Sequence, residues 1–310
     1  MKWEPADELT NESTRRKMTI LAKSVRMGLM RVKFWGVRGS TPTPQPENLR
    51  YGGNTSCVEV RLKDALYVFD CGTGFRPLGQ QLEHESKGNP VLAHIFVSHF
   101  HWDHIQGIPF FGPLYDSGEN RFIFHCSSRT RSLKRVMEEQ MASPYFPVEM
   151  SEMKARRDFY DIEEGRVPLG DEVTIEARWL NHPQGCMGFR LESKHGVLVY
   201  ATDNEPGDPI FDKNVRKLAA GADVLIYDAQ YLPEEYEARK RGWGHSHWRE
   251  GINIVMESGA KELILFHHDP DHDDTLIDKV VREARNYYPR VRAAAEGMEI
   301  GIEQAAAQAH

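Results

Sequence analysis

The chain has 310 residues, enough to bury a sizeable core in one domain or two. Its 40% hydrophobic and 27% charged residues and net charge of -7 describe a water-soluble protein, with no excess of Lys and Arg for the many phosphate contacts that long nucleic acids demand. The cysteines Cys57, Cys71, Cys126 and Cys186 stand singly with no CxxC pair, which argues against a disulfide framework or a cysteine metal site and for a reducing, cytoplasmic compartment.

Residues 1–30 carry charges throughout and contain no apolar run, so they read as an extension and not as a secretory signal or membrane span. Thr14 to Met30 fits a short amphipathic helix, or equally a frayed segment ahead of an internal start at Met27 or Met30. Regular patterning begins at Arg31 with a strand over Arg31–Trp35, followed by the turn-rich loop Gly36–Pro42. Cys57–Leu62 and Ala65–Phe69 flank Lys63-Asp64 as a hairpin, and the second run ends on Asp70 beside Gly72 and Gly74, a site-forming position in layered α/β proteins. A helix is expected over Phe75–Glu85 and a strand over Val91–Val97. A strand over Phe122–Cys126 and a helix over Thr130–Met141 follow.

The pattern then breaks at Ser143-Pro144-Tyr145-Phe146-Pro147, and the span of about 110–165 reads either as an insertion capping a cleft or as a surface excursion. Later strands are expected at Val173–Leu180, Gly188–Glu192, Val197–Ala201, Val224–Tyr227, Leu263–Phe266 and Met298–Ile302, with helices near Asp212–Ala220, Trp248–Glu257 and Thr275–Tyr287. Hairpins early in each half followed by strand-helix alternation suggest two sheets packed face to face with helices outside. One domain is expected over residues 31–304, and the tail 305–310 reads as disordered.

The chemistry gathers at Val97-Ser98-His99-Phe100-His101-Trp102-Asp103-His104, three imidazoles and a carboxylate directly after an apolar strand. Zinc takes about four ligands, and a catalytic zinc keeps one position open. Ligands this dense therefore divide into two pairs, each completed from elsewhere. His182, Asp203 and His267 each follow an apolar run, where residues of neighbouring strands converge; His268 is a rival for His267, since either could be the first residue past the strand. Singly, His182 fits a loop and Asp203 a turn cap. As a set, His99, His101 and His182 suit one metal and Asp103, His104 and His267 a second, with Asp203 between them. Two close cations lower the pKa of a shared water and clamp attacking and leaving oxygens. His and Asp donors suit Zn²⁺, Mn²⁺ and Fe²⁺ alike, and Zn²⁺ is the ion expected, with Mn²⁺ or Fe²⁺ as the alternatives.

These residues resemble the metallo-β-lactamase superfamily and are most similar to its branch containing ribonuclease Z and the cyclic-nucleotide and cyclic-phosphate phosphodiesterases. The likeness runs from Arg31 to Glu303. It includes Phe34-Trp35-Gly36 with Ser40 and Pro42, Asp70, the run from His99 to His104, His182, Asp203, Gly244-His245-Ser246, His267 and Glu296-Gly297-Met298. The resemblance implies an α/β, four-layered αβ/βα sandwich with two divalent metal ions at one edge, and a homodimer. It implies that Asp70 supports the ligand histidines. In ribonuclease Z a histidine of the Gly-His-Ser segment contacts the scissile phosphate and helps protonate the leaving group. The matching residue is His245, beside Ser246 as a substrate contact, with Asp228 as its carboxylate partner where ribonuclease Z usually has Glu. Arg121–Glu164 lacks the Gly- and Pro-rich basic arm with which ribonuclease Z grips RNA.

The function expected on these grounds is hydrolysis of a small phosphodiester, a cyclic nucleotide or related nucleotide, with Asp103 orienting the water and His245 as proton donor. Trp102, Tyr145 and Phe146 are candidates for stacking on a base, with core packing as the alternative role. Competing readings are a ribonuclease Z-like RNA 3'-endonuclease, a thioesterase or lactonase using the same metals, and a non-catalytic nucleotide sensor.

Overall fold

The computed structural model describes residues 29–127 and 131–303. The Thr14–Met30 stretch, apart from its last two residues, and the tail 305–310 lie outside the described residues. Met30 opens the first strand.

The first sheet contains β1 (Met30–Gly36), β2 (Cys57–Leu62), β3 (Ala65–Phe69), β4 (Leu92–Val97), β5 (Arg121–Cys126) and β6 (Arg156–Asp161) in that spatial order. The second holds β7 (Gly165–Leu169), β8 (Val173–Leu180), β9 (Cys186–Ser193), β10 (Gly196–Ala201), β11 (Val224–Asp228), β12 (Leu263–Phe266) and β13 (Val291–Ala293), again neighbour to neighbour. The last strand, β14 (Glu299–Ile302), returns to the first sheet and pairs antiparallel with β1. Each sheet is antiparallel at one side and parallel at the other: β3 to β6 run parallel, as do β10 to β13. Because β8 and β10 are both antiparallel to β9, they point the same way, and all these strands end toward one rim.

Between the sheets lies an apolar layer built on Val32, Phe34, Phe69, Phe96, Phe189, Tyr200, Ile226 and Phe266. Phe69 stacks on both Phe96 and Tyr200 at 5.4 Å between ring centres, and Tyr200 meets Phe266 edge-on at 5.7 Å. Each such ring, removed from water, contributes roughly 1.5–3 kcal/mol. Helix α1 (Phe75–Ser86) covers the outer face of the first sheet through Phe75, Leu78 and Leu82. Between β4 and β6 lie the short α2 (Trp102–Ile105) and α3 (Leu133–Gln140). Helices α4 (Pro209–Ala219), α5 (Trp248–Ser258) and α6 (Asp274–Arg285) cover the second sheet with Val215, Leu218, Ile252, Val255 and Ile277. Covering on both sides explains why β11 is buried at every position, as parallel strands commonly are. The four-layered αβ/βα sandwich is the architecture observed.

Three strands are absent from the sequence-based expectation. β6 reads Arg-Arg-Asp-Phe-Tyr-Asp, and its charge is that of a sheet edge, where polar side chains are tolerated. β7 carries Pro168, which an edge strand accepts because one side of the backbone needs no partner. β13 is three residues long, too short to show a period. β5 and β6 are integral strands of the first sheet, so within the span 110–165 it is the chain between them, with α3, that leaves the layer.

Candidate metal centre at the sheet rim

The rim collects the exits of β3, β4, β8, β10, β11 and β12. At three of them the chain turns through the left-handed region on a non-glycine residue: Asp70 has φ 61°, Asp203 φ 58° and His267 φ 61°. Such conformations cost about 1–3 kcal/mol each and persist where surrounding structure enforces them. Here each delivers a polar side chain to the same place.

Two groups result. His99, His101 and His182 offer ligand atoms that lie within 4.8 Å of one another, and so do Asp103, His104 and His267. The 3.1 Å between His101 Nδ1 and His182 Nε2, and the 3.2 Å between His104 Nε2 and His267 Nε2, bring residues far apart in the chain together. Asp203 lies between the groups, with Oδ1 3.8 Å from His99 Nε2 and 3.7 Å from His182 Nε2, and Oδ2 3.3 Å from His104 Nε2 and 3.5 Å from His267 Nε2.

The candidate ligand side chains are held from behind. Asp70, fully buried, accepts the backbone N–H of Ser98 at 2.7 Å, the Tyr200 hydroxyl at 2.7 Å and His104 Nδ1 at 2.7 Å. His104 Nε2 is thereby turned toward the cluster. His182 Nδ1 donates to the Gly244 carbonyl at 2.7 Å, and His267 Nδ1 pairs with Gln230 Oε1 at 2.9 Å. Asp103 Oδ2 accepts the backbone N–H of Ser40 at 2.7 Å. Tyr200, Gln230 and Ser98 carried no signal in the sequence beyond their closeness to strand ends. His268 points elsewhere: its Nε2 pairs with the Ala294 carbonyl at 3.0 Å and its ring packs edge-on to Tyr51 at 5.8 Å.

The donor set fits divalent cations on three observations. His99 Nε2 is buried with no hydrogen-bond partner, a state that proteins rarely leave uncompensated. Burial pushes His182 down to about 4 and holds His99 well below the usual range, so both imidazoles are neutral and able to ligate. For His104, burial works downward, but the carboxylates of Asp203, Asp103 and Asp70 outweigh it and raise its pKa. A pocket with this much negative charge favours a cation. Burial pushes the Asp203 carboxyl up, but His267, His104 and His99 outweigh it and hold it well below its ordinary value.

His245 stands over the cluster on the loop between β11 and α5. Its Nδ1 is 2.9 Å from Asp228 Oδ2 and its ring lies 5.0 Å from those of His182 and His267. Asp228 also accepts the backbone N–H groups of Asp203 at 3.0 Å, Gln230 at 3.0 Å and Ser246 at 3.2 Å. Ser246, expected beside the substrate, is fully buried, and its backbone N–H serves Asp228.

A cavity of about 410 Å³ opens on the cluster, walled by Ser40, Phe100, His101, Trp102, Asp103, Asp203 and His245. Phe100 and Trp102 also wall an adjoining apolar groove of about 520 Å³ that Phe110, Tyr145 and Phe146 complete. Trp102 is 77% and Tyr145 84% exposed, so neither belongs to the core, whereas Phe146 is half-buried and meets Phe110 edge-on at 5.5 Å. Among the described residues no helix is long and apolar enough to cross a membrane.

Comparison with known proteins agrees with this architecture. Ribonuclease Z of Haloarcula marismortui is 27% identical over 88% of this chain and 97% of its own length. The human short-form tRNase Z superposes with a TM-score of 0.62 at 22% identity, covering 88% of this chain and 99% of that one. A diphosphatase of the PhnP family superposes with a TM-score of 0.65 at 17% identity, covering 89% of this chain and 98% of that one. At these identities the structural likenesses speak for the fold alone. The β-lactamase superfamily domain matches residues 66–268, and the chain belongs to that superfamily as a metal-dependent hydrolase with the metallo-β-lactamase fold.

Proposed function

We propose that this protein is a dinuclear metal-dependent phosphodiesterase acting on a small phosphodiester, a cyclic nucleotide or related nucleotide. The observation that carries the reading is the Asp228–His245 pair, placed over two groups of metal-binding residues at the wall of one cavity. His99, His101 and His182 would hold one ion and Asp103, His104 and His267 the other, with Asp203 shared. Zn²⁺ suits the donors best. Bound there, the ions would neutralise the non-bridging phosphate oxygens and lower the pKa of a coordinated water from about 15.7 toward about 7.

The chain's own groups supply the rest. Asp103, at the cavity wall, orients the attacking water and takes its proton. The new P–O bond forms as the bond to the leaving oxygen breaks. His245, held at Nδ1 by Asp228, donates the Nε2 proton to that departing oxygen. A positioned general acid contributes roughly 10²–10⁴-fold. The groove beside Trp102 and Tyr145 accepts a planar base attached to the phosphate, since aromatic faces stack on any base.

A second reading, cleavage at the 3' end of an RNA, is favoured by the ribonuclease Z relative that aligns over 88% of this chain. The two readings share the reaction and differ in the size of what is bound. Metal-loaded protein assayed on bis(p-nitrophenyl) phosphate, cyclic mononucleotides, cyclic dinucleotides, a short 3'-extended RNA and an acyl thioester separates them. Turnover of a nucleotide faster than of the RNA supports the first reading; the reverse ranking supports the second, and thioester turnover alone removes both. We further propose that the protein works in the cytoplasm as a homodimer.

A further inference from the structure

We infer that Glu205 is a positioning residue for the proton donor, an inference that rests on the reading of His245 as general acid. Glu205 lies two residues beyond Asp203, on the exit of β10. Its carboxylate reaches across to the loop that carries His245: Oε1 accepts the Gly242 N–H at 2.6 Å and Oε2 the Gly244 N–H at 2.8 Å. The Tyr236 hydroxyl adds a third contact to Oε1 at 3.3 Å.

The loop needs such an anchor. Gly242 and Gly244 adopt φ 84° and 87°, which only glycine takes up freely, and a Cβ at position 244 would sit 2.5 Å from His182 Nδ1. Position 244 therefore admits no side chain where the loop passes the site. Gly244 in turn does two things. Its carbonyl accepts His182 Nδ1–H, and its peptide bond leads directly into His245.

The backbone of Glu205 holds Asn181, the residue directly before the same histidine. Its N–H donates to the Asn181 carbonyl at 2.8 Å, and its own carbonyl accepts Asn181 Nδ2 at 2.8 Å. One residue thus joins the strand exit bearing Asp203, the turn bearing His182 and the loop bearing His245. Two carboxylate oxygens serving two separate amides also explain why a carboxylate stands here: a side-chain amide has one acceptor oxygen and would turn an N–H toward the second amide.

The test uses the metal-loaded protein and its Glu205→Gln variant. Two diesters are compared, one with an alkoxide leaving group that needs a proton and one with p-nitrophenolate, which does not. The inference predicts that kcat on the alkoxide ester falls roughly ten- to a hundredfold with KM little changed, while the p-nitrophenyl ester loses less than about threefold. Amide hydrogen exchange across residues 242–246 should accelerate at least about tenfold, with the 97–104 segment unaffected. Equal losses on both esters, or unchanged exchange in the loop, would overturn it. Failure of the parent protein to hydrolyse either ester would count against the function proposed above, and the exchange measurement would still decide whether Glu205 holds the loop.

Discussion

The backbone N–H of Asp203 donates to Asp228 Oδ2 at 3.0 Å, the same oxygen that faces His245 Nδ1 at 2.9 Å. The carboxylate placed between the two groups of candidate ligands and the residue above them are therefore set by a single third side chain.

Asp228 is saturated with donors: Asp203 N, Gln230 N, Ser246 N and His245 Nδ1. Asp228→Asn would turn an N–H₂ toward these donors and remove the carboxylate oxygen that holds His245 Nδ1. We expect a loss of about 1–3 kcal/mol in urea unfolding from the unmatched buried groups. Turnover of diesters with poor leaving groups should fall by roughly 10²–10⁴-fold.

Gly39 passes so close to His267 that an added Cβ would meet the imidazole and lie 2.9 Å from Gln230 Oε1. Gly39→Ala should displace His267 and weaken the group it forms with Asp103 and His104. Metal analysis after dialysis against a weak chelator should show the occupancy of one ion falling while the other is retained. The chain should still fold, at a cost of about 1–3 kcal/mol for the overpacked contact.

His125 stacks between Phe96 and Tyr160, and burial pushes its pKa down to about 4. The unfolded chain takes up a proton near 6.5, so between pH 6.5 and 4 it binds more protons than the folded chain does. The stability this group contributes is complete above that window and is lost as pH falls through it, by up to about 3 kcal/mol. Urea titrations of metal-free protein at pH 7, 5.5 and 4 should show the decline, and His125→Gln should make it shallower, the other buried histidines such as His182 supplying the remainder.

Tyr145 is 84% exposed at the edge of the apolar groove. Tyr145→Ala should leave stability within about 0.5 kcal/mol. Stacking on a base is worth about 1–3 kcal/mol, so KM for a nucleotide substrate should rise roughly five- to a hundredfold. An unchanged KM accompanied by loss of a dimer in light scattering would assign the groove to a partner chain instead.

Much of the rim is legible in the chain because its chemistry is local or follows apolar runs. His99, His101, Asp103 and His104 lie within one turn-and-helix segment, and His182, Asp203 and His267 each stand directly past a buried strand. What decides between His267 and His268 is a single left-handed residue at 267, which hydropathy does not encode. Asp70 shows its place at a strand end, but its partner Tyr200 comes from the opposite sheet, and that pairing depends on how the two layers stack. Gln230 and Glu205 are invisible for the same reason: each serves a residue brought near by topology. The edge strands β6 and β7 escape because a sheet edge permits charge and proline where an interior strand does not.

Seven side chains from distant parts of the chain meet at one rim with donors enough for a pair of cations. Calorimetric titration of the metal-free protein with Zn²⁺ counts the ions they hold. Two equivalents should bind per chain, with His182→Ala removing one and His267→Ala removing the other. A single equivalent in the parent protein, or two that survive both substitutions, would rule out a paired-ion centre at this rim.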